Sequence, residues 1–232
     1  MGCALQEQGK ILEAMQCYRE ALLVNPFHIE SNYNLANSLH EIDDLNEAEQ
    51  YYKKTIALQP SHHMAYYNLG YLYQDQNKLE QSIECFRQAT VIQPSDTDSL
   101  VNLGLVLKHN GQFNDAIRSY QRAIYADAKC TMAYFNLGNT YQDLKNFDQA
   151  IECFRKVLVL EPNHSDARFN LAIAYQDRAA TGLPFPVSDL RNALECYETV
   201  YARSPEIVEA KEAAAAIHKL LNPSLSNSSM SP

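Results

Sequence analysis

The chain has 232 residues and a mass of 26.3 kDa, with 46% hydrophobic and 20% charged side chains, a composition that can bury a core. Its 19 Lys and Arg against 28 Asp and Glu give a formal charge of -9, which repels a polyanion and excludes nucleic acid as the expected partner. No apolar run approaches the roughly 20 residues that cross a bilayer, and the start, MGCALQEQGK, lacks the apolar core of a signal peptide. No membrane association is expected, and the expected address is cytoplasmic, with nucleus or cilium also compatible. Gly2-Cys3 does not complete an acylation motif, because the slot after Leu5 holds neither Ser nor Thr.

Taken in order, residues 1–26 read as a partial repeat that begins inside its first helix, so the sequence is expected to start mid-array, as a fragment of something longer. Four repeats follow, 27–60, 61–94, 95–128 and 129–162. Pro26, Pro60, Pro94 and Pro162 stand at multiples of 34, and Ala128 fills the missing place. Leu35-Ala36, Leu69-Gly70, Leu103-Gly104, Leu137-Gly138 and Leu171-Ala172 keep the same period. Each repeat is a helix pair. In 61–94 the first helix is expected from Met64 to Gln76 and the second from Leu79 to Ile92, where Pro94 stops it.

A sixth repeat, 163–205, keeps its first helix to about Ala180. It then carries the insertion 181–189 (TGLPFPVSD), with Ser188 or Asp189 as the N-cap of a second helix resuming at Leu190. Phe185, between two prolines, makes the insertion either a contact loop or an inert one. Residues 206–221 read as an Ala-rich capping helix and 222–232 as a disordered tail.

Small residues (Ala36, Gly70, Gly104, Gly138, Ala172) allow close helix approach, and Tyr18, Tyr52, Phe86, Tyr120, Phe154 and Tyr197 fill the space between helices. Cys17, Cys85, Cys153 and Cys196 each precede one of these rings, which marks them as reduced packing thiols rather than a disulfide, metal or redox set. Gly9, Asp43, Asn77 and Gly111, with Asn146 close by in the fifth repeat, are the expected turn residues.

These residues resemble the tetratricopeptide repeat family, whose Leu-Gly, Tyr, Ala, aromatic and Pro pattern is met almost throughout 1–205. The resemblance implies an all-α, right-handed superhelical solenoid of antiparallel helix pairs, with first helices lining a concave surface.

One periodic feature lies outside packing. Asn34, Asn68, Asn102, Asn136 and Asn170 recur every 34 residues just before the Leu. Asn in a helix interior costs roughly 0.5–0.7 kcal/mol against Ala, so something should offset it. Helices about 10 Å apart would space the side chains to meet every third residue of an extended peptide, which advances about 3.3 Å per residue. Each carboxamide could accept from a backbone N–H and donate to a backbone C=O. The alternative is that each asparagine bonds a neighbouring helix and stitches the repeats together. The series is similar to the concave asparagines of the superhelical repeats of O-linked N-acetylglucosamine transferases, and that resemblance implies peptide-backbone binding.

Tyr33, Tyr67, Phe135 and Phe169 stand next to the asparagines, and Asp75, Asp143 and Asp177 follow about two turns later, which favours a basic or Ser/Thr-rich extended guest. Lys108 and Arg168 are too few and too far apart to clamp an acidic chaperone tail. His62-His63 and Asn163-His164-Ser165-Asp166 are read as turn residues. No nucleophile, phosphate loop or metal spacing is found, so neither catalysis nor a cofactor is expected. The expected function is a protein–protein interaction module, an adaptor or substrate-selecting scaffold. The alternatives are the targeting region of a glycosyltransferase without its catalytic domain, or a structural subunit of a large ciliary or cell-cycle assembly that self-associates end to end.

Overall fold

The computed structural model describes residues 2–181 and 187–222, and among these it contains thirteen α-helices and no strand. The protein divides into two compact units, Met1–Ala126 and Asp127–Pro232. The first holds four helix pairs: α1 (Gly2–Glu7) with α2 (Ile11–Val24), α3 (Ile29–Glu41) with α4 (Leu45–Leu58), α5 (His63–Asp75) with α6 (Leu79–Ile92), and α7 (Thr97–His109) with α8 (Phe113–Ala126). The second holds α9 (Thr131–Asp143) with α10 (Phe147–Leu160), α11 (Ser165–Thr181) with α12 (Val187–Arg203), and α13 (Val208–Leu221). Within each unit every helix packs on its pair partner and each second helix packs on the next first helix. First helices also meet, α3 against α5 and α9 against α11.

The reversal inside a pair is a Schellman turn. Gly9, Asp43, Asn77 and Gly111 in the first unit and Lys145 in the second hold positive φ, from 56° to 74°. The residue after each donates its backbone N–H five residues back: Lys10 to Leu5 (2.9 Å), and Asp44 to Leu39, Lys78 to Tyr73, Gln112 to Leu107 and Asn146 to Tyr141 (each 2.8 Å). In the fifth repeat the left-handed residue is therefore Lys145. Asn146, the neighbour favoured by composition, sits outside α10 as its N-cap.

Close helix approach explains the small-residue slot. A Cβ built on Gly104 would stand 2.5 Å from the Tyr120 ring, and one on Gly138 would stand 2.7 Å from Phe154. Both rings are fully buried, as are Tyr52 and Phe86. Each such ring contributes about 1.5–3 kcal/mol of apolar transfer. Leu35, Leu39, Leu72 and Val106 complete the core of the first unit, and Val157, Ala172 and Ala193 belong to that of the second. Ala210 and Ile217 of α13 are buried in its packing against α12.

The insertion departs from expectation. Thr181 ends α11, and α12 begins at Val187, so Ser188 and Asp189 lie inside the helix rather than capping it. Asp189 is buried and takes both oxygens to Arg178 of α11 (2.7 Å each), while Arg178 also reaches Asp148 of α10 (2.5 Å). A carboxylate paired bidentately with a guanidinium tolerates burial that a free cap would not need. Phe185 and the expected tail beyond Asn222 lie outside the described residues.

Candidate functional site

The asparagines ride on first helices whose starts are set by one recurring position. At 34-residue spacing, His28, His62 and Asp96 are the N-caps of α3, α5 and α7, Cys130 is that of α9, and His164 precedes α11. Histidine here serves as an acceptor. Nδ1 of His28 takes Ser31 N–H (3.1 Å), that of His62 takes Ala65 N–H (3.1 Å) and that of His164 takes Ala167 N–H (3.3 Å), as Asp96 takes Ser99 N–H (3.1 Å). These bonds satisfy orphan donors of the first turn and require a neutral imidazole. Burial holds His62 below the usual histidine value, and its ring lies 4.7 Å from that of Tyr33. His164 stacks on Phe135 at 5.1 Å. The turn assignment of these histidines thus gains a structural role that composition did not reveal.

All five asparagines of the series are half-buried. In the first unit, Asn68 Nδ2 donates to Tyr33 Oη (3.0 Å) and to Asn37 Oδ1 (2.8 Å), both on α3. Asn102 Nδ2 donates to Tyr67 Oη on α5 (3.0 Å) and to the Asp98 carbonyl on its own helix (3.0 Å). Asn34 Nδ2 points at Cys3 Sγ on α1 (3.6 Å). In the second unit, Asn170 Nδ2 donates to Asn139 Oδ1 on α9 (2.8 Å).

The amide nitrogens therefore do the stitching, and for Asn68 and Asn102 both N–H groups are used. The side-chain oxygens of Asn68, Asn102 and Asn170 accept nothing among the described residues and are not among the buried, unpartnered polar atoms. They face solvent. Spacing alone leaves donor and acceptor equally available, and the geometry withdraws the donor from Asn68 and Asn102. It also brings in two residues that spacing does not single out, Asn37 and Asn139, one helical turn after Asn34 and Asn136.

The neighbouring rings are only partly free. Tyr33, Tyr67, Phe135 and Phe169 are half-buried, and each packs on the ring of its own second helix: Tyr52 (6.3 Å), Phe86 (5.6 Å), Phe154 (6.0 Å) and Tyr197 (5.6 Å). Among the acids, Asp75 and Asp143 are exposed, and Asp75 pairs with His40 Nε2 of α3 (3.1 Å). Asp177 is half-buried, and burial alone raises its carboxyl above the usual range. Arg168 turns back onto the Pro162 carbonyl (2.6 Å).

The six cysteines are thiols, none of them joined in a disulfide. Burial pushes the Cys85 and Cys153 thiols up to about 12 and Cys196 to about 11, so these three are poor nucleophiles. Among the described residues no group of three or more His, Cys, Asp or Glu is placed to hold a metal ion, and no helix is long and apolar enough to cross a membrane.

Comparison with known proteins places this arrangement. Models of the tetratricopeptide repeat match residues 1–63, 63–96, 97–130 and 132–164. No curated protein matches the sequence. Among solved structures, YrrB, described as a TPR protein with an unusual peptide-binding site, is 25% identical with a TM-score of 0.70, over 84% of this protein and 96% of that one. MamA is also 25% identical, with a TM-score of 0.67 over 72% and 97%. The C-terminal part of a TPR repeat-containing protein from Cytophaga hutchinsonii, 16% identical, shares the fold with a TM-score of 0.80 over 97% and 89%. With family matches running through five successive repeats and helix pairs of the same build, the protein belongs to the tetratricopeptide repeat family.

Proposed function

We propose that this protein is an interaction scaffold that holds an extended segment of a partner protein by its backbone, using the asparagines of the first helices. The observation that carries the reading is the open side-chain oxygen on Asn68, Asn102 and Asn170, each held in place by its own engaged nitrogen. A fixed acceptor costs little further entropy when a peptide N–H arrives, and backbone contacts of this kind tolerate varied guest side chains. The peptide-binding description of YrrB supports the same use of the fold. The acids beside the series, Asp75, Asp143 and Asp177, favour a basic or Ser/Thr-rich guest.

The test separates holding a guest from holding the helices together. Asn68→Ala with Asn102→Ala removes the open oxygens, whereas Tyr33→Phe with Tyr67→Phe removes only the hydroxyls that receive the asparagine N–H groups. Peptides are first selected on the wild-type protein from a random 12-residue library. The asparagine pair should lose at least about tenfold in affinity, equivalent to about 1.4 kcal/mol. The tyrosine pair should lower the melting temperature while keeping affinity within about threefold. If both pairs lower affinity only in proportion to stability, the asparagines are stitches alone and the reading fails.

A further inference from the structure

Asn37 and Asn139 change what the site can do. In each unit one of them accepts the nitrogen of the following series member: Asn37 Oδ1 from Asn68 (2.8 Å) and Asn139 Oδ1 from Asn170 (2.8 Å). The two carboxamides of a pair are thereby joined head to tail. An acceptor stays open at one end, the Asn68 or Asn170 oxygen, and a donor at the other, the Asn37 or Asn139 nitrogen; Asn170 also keeps one N–H. The nitrogens of Asn37 and Asn139 donate to nothing among the described residues, and neither is among the buried, unpartnered polar atoms, so both reach solvent.

We infer that the linked carboxamides Asn37–Asn68 and Asn139–Asn170 are the points where an extended guest is gripped, each pair offering one acceptor to a backbone N–H and one donor to a backbone C=O. This rests on the proposed peptide-holding function and names the residues that complete it. Asn68 cannot supply both halves, because both of its N–H groups are engaged; the pair restores the missing donor from the preceding helix. Hydrogen-bonded amides polarise one another, so donation by Asn68 strengthens its own oxygen as an acceptor, and acceptance by Asn37 strengthens its nitrogen as a donor. In an extended peptide successive residues advance about 3.3 Å, so groups on either side of the link are within reach of neighbouring peptide units. The pairing is selective. The positions equivalent to Asn37 in the third, fourth and sixth repeats are Tyr71, Leu105 and Ile173, which have no carboxamide.

The first unit adds Tyr52 Oη, which also donates to Asn37 Oδ1 (2.8 Å); the second has Phe154 at that place and lacks this bond. The grip at Asn37–Asn68 is therefore the stronger of the two.

Asn37→Asp and Asn139→Asp are the decisive variants. Each keeps an oxygen for the following asparagine while replacing the free N–H donors by a charged acceptor oxygen, so the stitch survives and the guest's carbonyl meets repulsion in place of its partner; uncharged guests are used so that the added charge gains nothing elsewhere. Peptides selected on wild-type protein from the random 12-residue library are titrated against both variants, with melting temperature recorded alongside. The best wild-type binder is also resynthesised with a backbone ester at each position in turn, which removes one N–H at a time and leaves the protein unaltered. The expected result is a loss of affinity of about tenfold for Asn37→Asp and less for Asn139→Asp, with near-wild-type melting, and ester sensitivity concentrated at one or two guest positions. Undiminished affinity in both variants, or ester sensitivity spread evenly along the peptide, would overturn the inference while leaving the peptide-holding function standing. Failure of the wild-type protein to select any peptide would sink the function itself, and the inference with it.

Discussion

The two units use one repeat in two chemical dialects. In the first, hydroxyls and amides form a connected set: Tyr52 and Asn68 both donate to Asn37, and Tyr33 and Tyr67 receive Asn68 and Asn102. In the second, Phe135, Phe169 and Phe154 occupy the matching positions; the bond from Asn170 to Asn139 remains, and Tyr197 Oη donates to Gln176 Oε1 (3.0 Å). The turns differ in parallel. The first unit places Gly, Asp, Asn and Gly in its left-handed positions, whereas the second places Lys145 there. The backbone fold survives either choice, because it depends on ring burial and the Schellman hydrogen bonds. What changes is how firmly the first-helix face is held and how many of its polar groups are tied down.

Tyr52→Phe gives the first unit the ring of the second and should produce the largest change, a loss of about 1 kcal/mol in urea unfolding. It removes a donor but leaves Asn37 Oδ1 with its bond from Asn68, so no buried group is orphaned. A loss near zero would mean that the hydroxyl network does not distinguish the units energetically.

The next effect is pH-dependent and belongs to His62. Burial lowers its folded value below the unfolded one of about 6.5, so the neutral form favours folding. The contribution is complete above about pH 6.5 and is lost as pH falls through the depressed folded value. Below that, a protonated Nδ1 can no longer accept Ala65 N–H, and a positive charge sits against a helix N-terminus. A backbone hydrogen bond and Glu30 of α3 favour the proton, whereas His63 opposes it alongside burial. His62→Asp, which copies Asp96, should keep the cap at about pH 5 and recover up to about 1 kcal/mol relative to wild type there. Equal pH dependence in both proteins would remove His62 as the cause.

Lys145→Gly should give the smallest change and the opposite sign, a gain of about 0.5–1 kcal/mol in the second unit, because glycine enters the left-handed region without Cβ strain. The matched Gly111→Ala in the first unit should lose a similar amount. Protection of α9 and α10 amides from hydrogen exchange would show whether the gain is local.

Much of the fold is legible because its causes are local or strictly periodic. Pro26, Pro60, Pro94 and Pro162 lie two residues beyond the second helices that end at Val24, Leu58, Ile92 and Leu160. Gly104 and Gly138 meet the Tyr120 and Phe154 rings that their spacing implies. The histidine caps are hidden because imidazole is an uncommon cap, and Lys145 because lysine is an uncommon left-handed residue. Asp189 is misread as a cap because its partner, Arg178, lies eleven residues back on another helix.

The sequence alone determined the repeat, the helix pairs and the asparagine at one position in five of them, since a 34-residue period and the turn of a helix fix which face each residue joins. Only the tertiary structure decided which atom of each asparagine is spent and which is free. That choice depends on partners 31 and 35 residues away, Asn37 and Tyr33 for Asn68, and a hydrogen bond forms only where packing brings its donor and acceptor to about 3 Å.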